Sequence, residues 1–141
     1  MADIFEKVNV EMDNISRVLA ELERIRDKSD KEIVVLAGIG SFLQNIYTGM
    51  ENILKQVLLH IGCTLSQSSS WHKDLLNMSV DHGLISNATQ EKIGKYLFFR
   101  HFFMHAYGFM IDEEKLLPLA NNISIDYADF KSEIEVFLND L

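Results

Sequence analysis

The chain has 141 residues, of which 48% are hydrophobic and 24% charged, with one proline and seven glycines. This composition excludes a disordered chain and fits a single domain over residues 1–141, long enough to bury about two thirds of its unfolded surface. A net charge of −8 argues against a general nucleic-acid binder, and the single Cys63 excludes an intrachain disulfide and a cysteine-rich zinc site.

The N-terminal M-A-D-I-F-E-K has neither a basic segment nor an apolar run, and charged residues interrupt the most apolar stretch. The expected setting is therefore reduced and cytoplasmic, with no membrane segment. A first helix is predicted from Asp3 to Arg26, where Ile4, Val8, Met12, Ile15, Leu19, Leu22 and Ile25 recur at spacings of three and four. Ser29 or Asp30 is placed to cap a second helix from Lys31 to Ile61. That helix is apolar on nearly all sides at first and amphipathic later, so it is expected at the centre of the fold or against a partner. Gly38, Gly40 and Gly49 weaken it and permit close approach of a neighbour. Glu51 in this surrounding is either a solvated acid on the outer face or a buried one.

Gly62 to Ser70 reads as a loop, with Ser70 as N-cap of a short helix from Trp71 to Val80. His72 and Lys73 at its start are either solvated or turned to a ligand phosphate near a helix N-terminus. A second loop follows, and Asn87 or Thr89 starts a fourth helix that runs to Met110. Asp112 opens a short helix that Pro118 interrupts, Asn121 and Asn122 mark a turn, and Asp126 caps a last helix carrying Phe130, Ile134, Phe137, Leu138 and Leu141. The expected fold is an all-α, up-and-down bundle of about five helices.

The segment from Gly94 to Ile111 concentrates the chemistry. It holds five of the nine phenylalanines and two of the four tyrosines, with Arg100, His101 and His105 set among them. Cations buried beside aromatic rings need a partner or a role, because desolvating an unpaired charge is costly. On a helix, Arg100 and Tyr107 share a face, as do His101 and His105, whereas Arg100 and His105 diverge by about 140°. One regular helix cannot easily aim both at one small substrate, so a distortion or a second copy of the chain is required. Charge is uneven as well: residues 1–40 carry nine acids and six bases, residues 41–111 four and five, and residues 112–141 eight and two. Only the central region has a positive excess, so a phosphate is best met there.

Arg100, His105 and Tyr107 spell R-x4-H-x-Y, and this motif resembles the signature of the HEPN superfamily, in particular its HepT-like branch of ribonuclease toxins. Y-x3-E-N-I-L-K from Tyr47, W-H-K-D-L-L from Trp71, and F-R-H-F-F-M-H-A-Y-G-F followed by D-E-E-K-L-L-P-L-A resemble the same branch, so the likeness covers most of the chain. It implies a homodimer, here formed through the second and fourth helices, in which two such motifs meet at the two-fold interface and resolve the spacing problem. It also implies a metal-independent endoribonuclease acting on tRNA or other RNA. Glu51 would orient Arg100 or His105. The matching tyrosine, Tyr107, is where a minimal nucleotidyltransferase (MNT) antitoxin attaches AMP and blocks the phosphate site. The chain departs from the pattern at His101, where the family commonly has asparagine, and at Met104, where the branch often has a basic residue. His101 would then take the polar role or join the acid/base work, and Met104 removes an RNA contact.

The residue types suit this chemistry. Metal-free RNA cleavage needs a group that moves a proton near neutral pH, which His105 provides, and a cation for the charge building on phosphoryl oxygens, which the Arg100 fork provides. Read on their own, His105 and Tyr107 also fit a packed histidine and a packed aromatic. His101 and His105 have the spacing of a metal-binding pair, but no third ligand lies near in sequence, so no metal and no cofactor is expected. The competing readings are a catalytically silent HEPN module that partners a nucleotidyltransferase, and a plain structural or metal-binding helical bundle.

Overall fold

The computed structural model describes residues 3–28, 32–105 and 112–141, with Met104 and His105 described by their backbone alone. These residues form an all-α bundle of five helices: α1 (Ile4–Arg26), α2 (Ile33–His60), α3 (Trp71–Asp81), α4 (Asn87–His105) and α5 (Glu113–Asn139).

The α1 stripe folds as its spacing predicts. Asp3 caps the helix by accepting from the Phe5 and Glu6 amides at 2.6 and 3.2 Å, and Ile4, Val8, Met12, Ile15 and Leu22 are buried. α2 packs against all four other helices, which accounts for its nearly continuous apolar surface. By length and composition α2 could cross a membrane, yet here it is the central strut, with thirteen buried residues from Leu36 to Leu58. Two of its glycines permit the close contacts. A Cβ at Gly49 would lie 2.6 Å from Ile15 Cγ1 on α1, and one at Gly40 would lie 2.6 Å from the Phe103 ring on α4. Ser29 and Asp30 lie outside the described residues, and the N-cap position of α2 is Glu32, which makes no side-chain capping bond.

Two local expectations are corrected. Ser70 occupies the N-cap position of α3 without capping it. Its hydroxyl instead pairs with Ser68 at 3.0 Å and reaches Asp74 Oδ2, which also accepts from Ser66 at 2.9 Å and Ser68 at 3.1 Å. This cluster ties the preceding loop onto the first turn of α3. The second correction concerns the C-terminal third, where one helix replaces the expected short helix, turn and restart. Pro118 sits inside α5, and Leu116, Ala120, Ile123, Tyr127, Phe130, Ile134 and Leu138 are all buried on one stripe. Burial of that stripe outweighs the local penalties of Pro118, Asn121 and Asn122. Asn122 Nδ2 donates to the Pro118 carbonyl at 2.8 Å, and Asp126 accepts the Tyr96 hydroxyl at 2.6 Å, so neither marks a break.

α4 begins at Asn87, with the Ser86 hydroxyl accepting from the Thr89 amide at 3.1 Å. Thr89, 3% exposed, also donates its hydroxyl to the Glu133 carboxylate, which pins this start to α5.

Candidate functional site

Tyr47 and Glu51 lie four residues apart on the most buried stretch of α2 and so share a face. A phenol and a carboxylate enclosed together must satisfy one another, and the Tyr47 hydroxyl donates to Glu51 Oε2 at 2.7 Å. Glu51 is 2% exposed. Its Oε2 also lies 2.5 Å from Nδ1 of His72, in the first turn of α3. Glu51 is thus the buried acid and not the solvated one. Among the described residues its partners are Tyr47 and His72; the resemblance implied a tie to Arg100 or His105, and the His105 side chain lies outside the described residues.

His72 is held on a second side by Trp71, whose ring centroid is 3.6 Å away, and Lys55 Nζ lies 4.0 Å over the Trp71 ring. The imidazole remains open to solvent over 23% of its side chain. It borders a cleft of about 500 Å³ between α3 and α4, along with Ser69, Ser70, Lys73 and His101.

Arg100 enters from α4. Its Nε is buried and has no hydrogen-bond partner among the described residues. Its charge is felt at Tyr47: burial raises that phenol's pKa far above the ordinary tyrosine range, the nearby Glu51 carboxylate raises it further, and the Arg100 guanidinium opposes the rise. Three helices therefore bring a phenol, a carboxylate, an imidazole and a guanidinium to the surroundings of Tyr47 and Glu51. An unpaired guanidinium N–H beside such a group is suited to an anionic oxygen.

A larger hollow, of about 560 Å³, lies between α4 and α5 and is walled by Phe98, Phe99, Phe102 and Phe103. It is mostly apolar and neither Glu51 nor His72 lines it, whereas His72 borders the smaller cleft.

A family described as HepT-like protein matches residues 38–141. The chain belongs to the HepT-like family. The match takes in most of α2 and all of α3 to α5, hence Tyr47, Glu51, His72 and Arg100, and leaves α1 outside. No curated protein and no solved structure matches this HepT-like chain.

Of the residues singled out in the sequence, Arg100 and Glu51 converge in this HepT-like site through Tyr47, and His101 lines the adjoining cleft. Tyr107 and the side chain of His105 lie outside the described residues, and so does the side chain of Met104. The sequence reading left His72 open between solvent and a phosphate, and it missed the pairing with Glu51. The Tyr47–Glu51 spacing, which puts a hydroxyl and a carboxylate on one helical face, signals their own bond but gives no sign of His72. Among the described residues no three His, Cys, Asp or Glu side chains group as metal ligands.

Proposed function

We propose that this HepT-like protein is a metal-independent endoribonuclease of toxin type. Arg100 stabilises the charge that develops on the phosphoryl oxygens, and His105 transfers a proton at the scissile bond. The observation that carries this reading is the Arg100 guanidinium, with a buried Nε lacking a hydrogen-bond partner among the described residues, in the one part of the chain with a positive excess. Family membership supports the same activity. Two copies join through α2 and α4, and the 73% and 43% exposure of Phe98 and Phe102 on α4 supports a covered surface there. The substrate is tRNA or another cytoplasmic RNA, and an MNT antitoxin silences the protein by placing AMP on Tyr107.

A second reading, a catalytically silent module that partners a nucleotidyltransferase, is favoured by one observation. Residues 112–141 carry eight acids against two bases and repel RNA beside α4. Growth of cells expressing the chain alone, with His105→Ala in parallel and total RNA on a gel, separates the two. The ribonuclease reading expects growth arrest and RNA fragments that vanish in the variant. Healthy growth and intact RNA from well-folded protein would overturn it in favour of the module.

A further inference from the structure

We propose that His72 is a second proton-transferring residue of this site, a general base oriented by Glu51. The proposal rests on the ribonuclease reading. A carboxylate only accepts, so the 2.5 Å contact between Glu51 Oε2 and His72 Nδ1 needs a proton on Nδ1. In the neutral ring Nε2 is then the acceptor, the form that takes a proton from a hydroxyl. Glu51 is itself fixed by the Tyr47 hydroxyl at 2.7 Å and sealed at 2% exposure, whereas the His72 side chain is 23% exposed and borders the cleft. A base held by a buried acid and open on its other side is an arrangement that activates a hydroxyl for attack. A staple between α2 and α3 would need no open edge and no cation beside it, yet Lys73 lines the same cleft and can meet a phosphate.

In the step assigned to it, the substrate 2′-hydroxyl oxygen bonds to phosphorus and passes its proton to His72 Nε2. The P–O5′ bond breaks, and the departing oxygen takes a proton from the His105 imidazolium, the acid of the proposed function. The proton on His72 Nε2 then passes through water to His105, which resets both rings. The products are a 2′,3′-cyclic phosphate and a 5′-hydroxyl.

Among the described residues, Glu51 of α2 touches the ring, Lys73 of α3 and His101 of α4 line the cleft it borders, Lys55 lies over the neighbouring Trp71 ring, Asp74 stands in the same first turn of α3, and Arg100 acts on Tyr47, the other partner of Glu51. The test is therefore a comparison of pH profiles. Cleavage of a labelled oligoribonucleotide by the full chain is measured from pH 5 to 8 for wild type, His72→Gln, His72→Ala with and without added imidazole, and Arg100→Ala as reference, with circular dichroism on each. His72→Gln is expected to lose about 10²-fold in rate together with the acidic limb of the profile, and imidazole to restore part of the rate to His72→Ala. Wild-type rate in His72→Gln would overturn the proposal alone. A lower rate with the acidic limb intact and no response to imidazole would make His72 a structural staple, and overturns it too. Wild type that does not cut RNA would overturn the ribonuclease reading and this one with it.

Discussion

Glu51 Oε2 lies 2.5 Å from His72 Nδ1, a contact across 21 residues of chain that ties the middle of α2 to the first turn of α3. Because the Tyr47 hydroxyl completes the same carboxylate, its removal is informative. Tyr47→Phe keeps the ring and strips one donor from a buried acid, which costs about 1–3 kcal/mol. Urea unfolding is expected to show a lower midpoint with an unchanged slope. An unchanged midpoint would mean that Glu51 does not depend on Tyr47.

Gly49 faces Ile15 so closely that an added Cβ would lie 2.6 Å from Ile15 Cγ1. Gly49→Ala gains about 1 kcal/mol of helix propensity but crowds a packed core at a cost of about 1–3 kcal/mol. Net destabilisation is expected in chemical denaturation. Combined with Ile15→Ala, which leaves room for the methyl, the two changes should be less damaging together than their sum by about 1 kcal/mol. Strict additivity would contradict the packing described.

Pro118 occupies the sixth position of α5, where the helix would use an amide that proline lacks, and it is exposed. Pro118→Ala is expected to stabilise the protein by about 1–3 kcal/mol, read from thermal unfolding. A lower melting temperature would mean that the ring shapes the helix in a way that the stripe alone does not.

This helix also shows what could and could not be read beforehand. The α1 stripe was legible because spacing is local, while the role of Asp3 as its cap came from the structure. The unbroken α5 was not, since Pro118 and two asparagines signal a break in any short window, and only burial of Leu116 to Leu138 against the bundle outweighs them. The same distinction holds at the site. Arg100 stood out as a cation among aromatic residues, and Glu51 as an acid in an apolar helix. The His72 contact could not be seen, because the loop between the two helices carries no information on where α3 docks.

Three tyrosines impose a pH dependence. Burial is the main cause at each: Tyr47 and Tyr96 are raised far above the ordinary range, with Glu51 and Asp126 respectively adding to the rise, and Tyr127 is pushed up to about 12. A raised folded value means the native state keeps its protons while the unfolded chain loses them above about pH 10. The stabilisation is whole below pH 10 and is lost as pH climbs toward the folded values, by about 1.4 kcal/mol per pH unit for each tyrosine. Absorbance at 295 nm should show these three still protonated at pH 11 in native protein and ionised in denaturant. Normal titration in the native state would contradict their burial.

The proposed chemistry has the Arg100 guanidinium act on a phosphodiester without a metal. Cleavage of labelled RNA by purified protein in the presence of a chelator, with wild type, Arg100→Ala and Arg100→Lys side by side, tests it most directly. Wild type is expected to cleave, Arg100→Ala to lose about 10²–10³-fold at unchanged helicity, and lysine to recover little, since it cannot reproduce the planar fork. Cleavage by Arg100→Ala at the wild-type rate would contradict that chemistry.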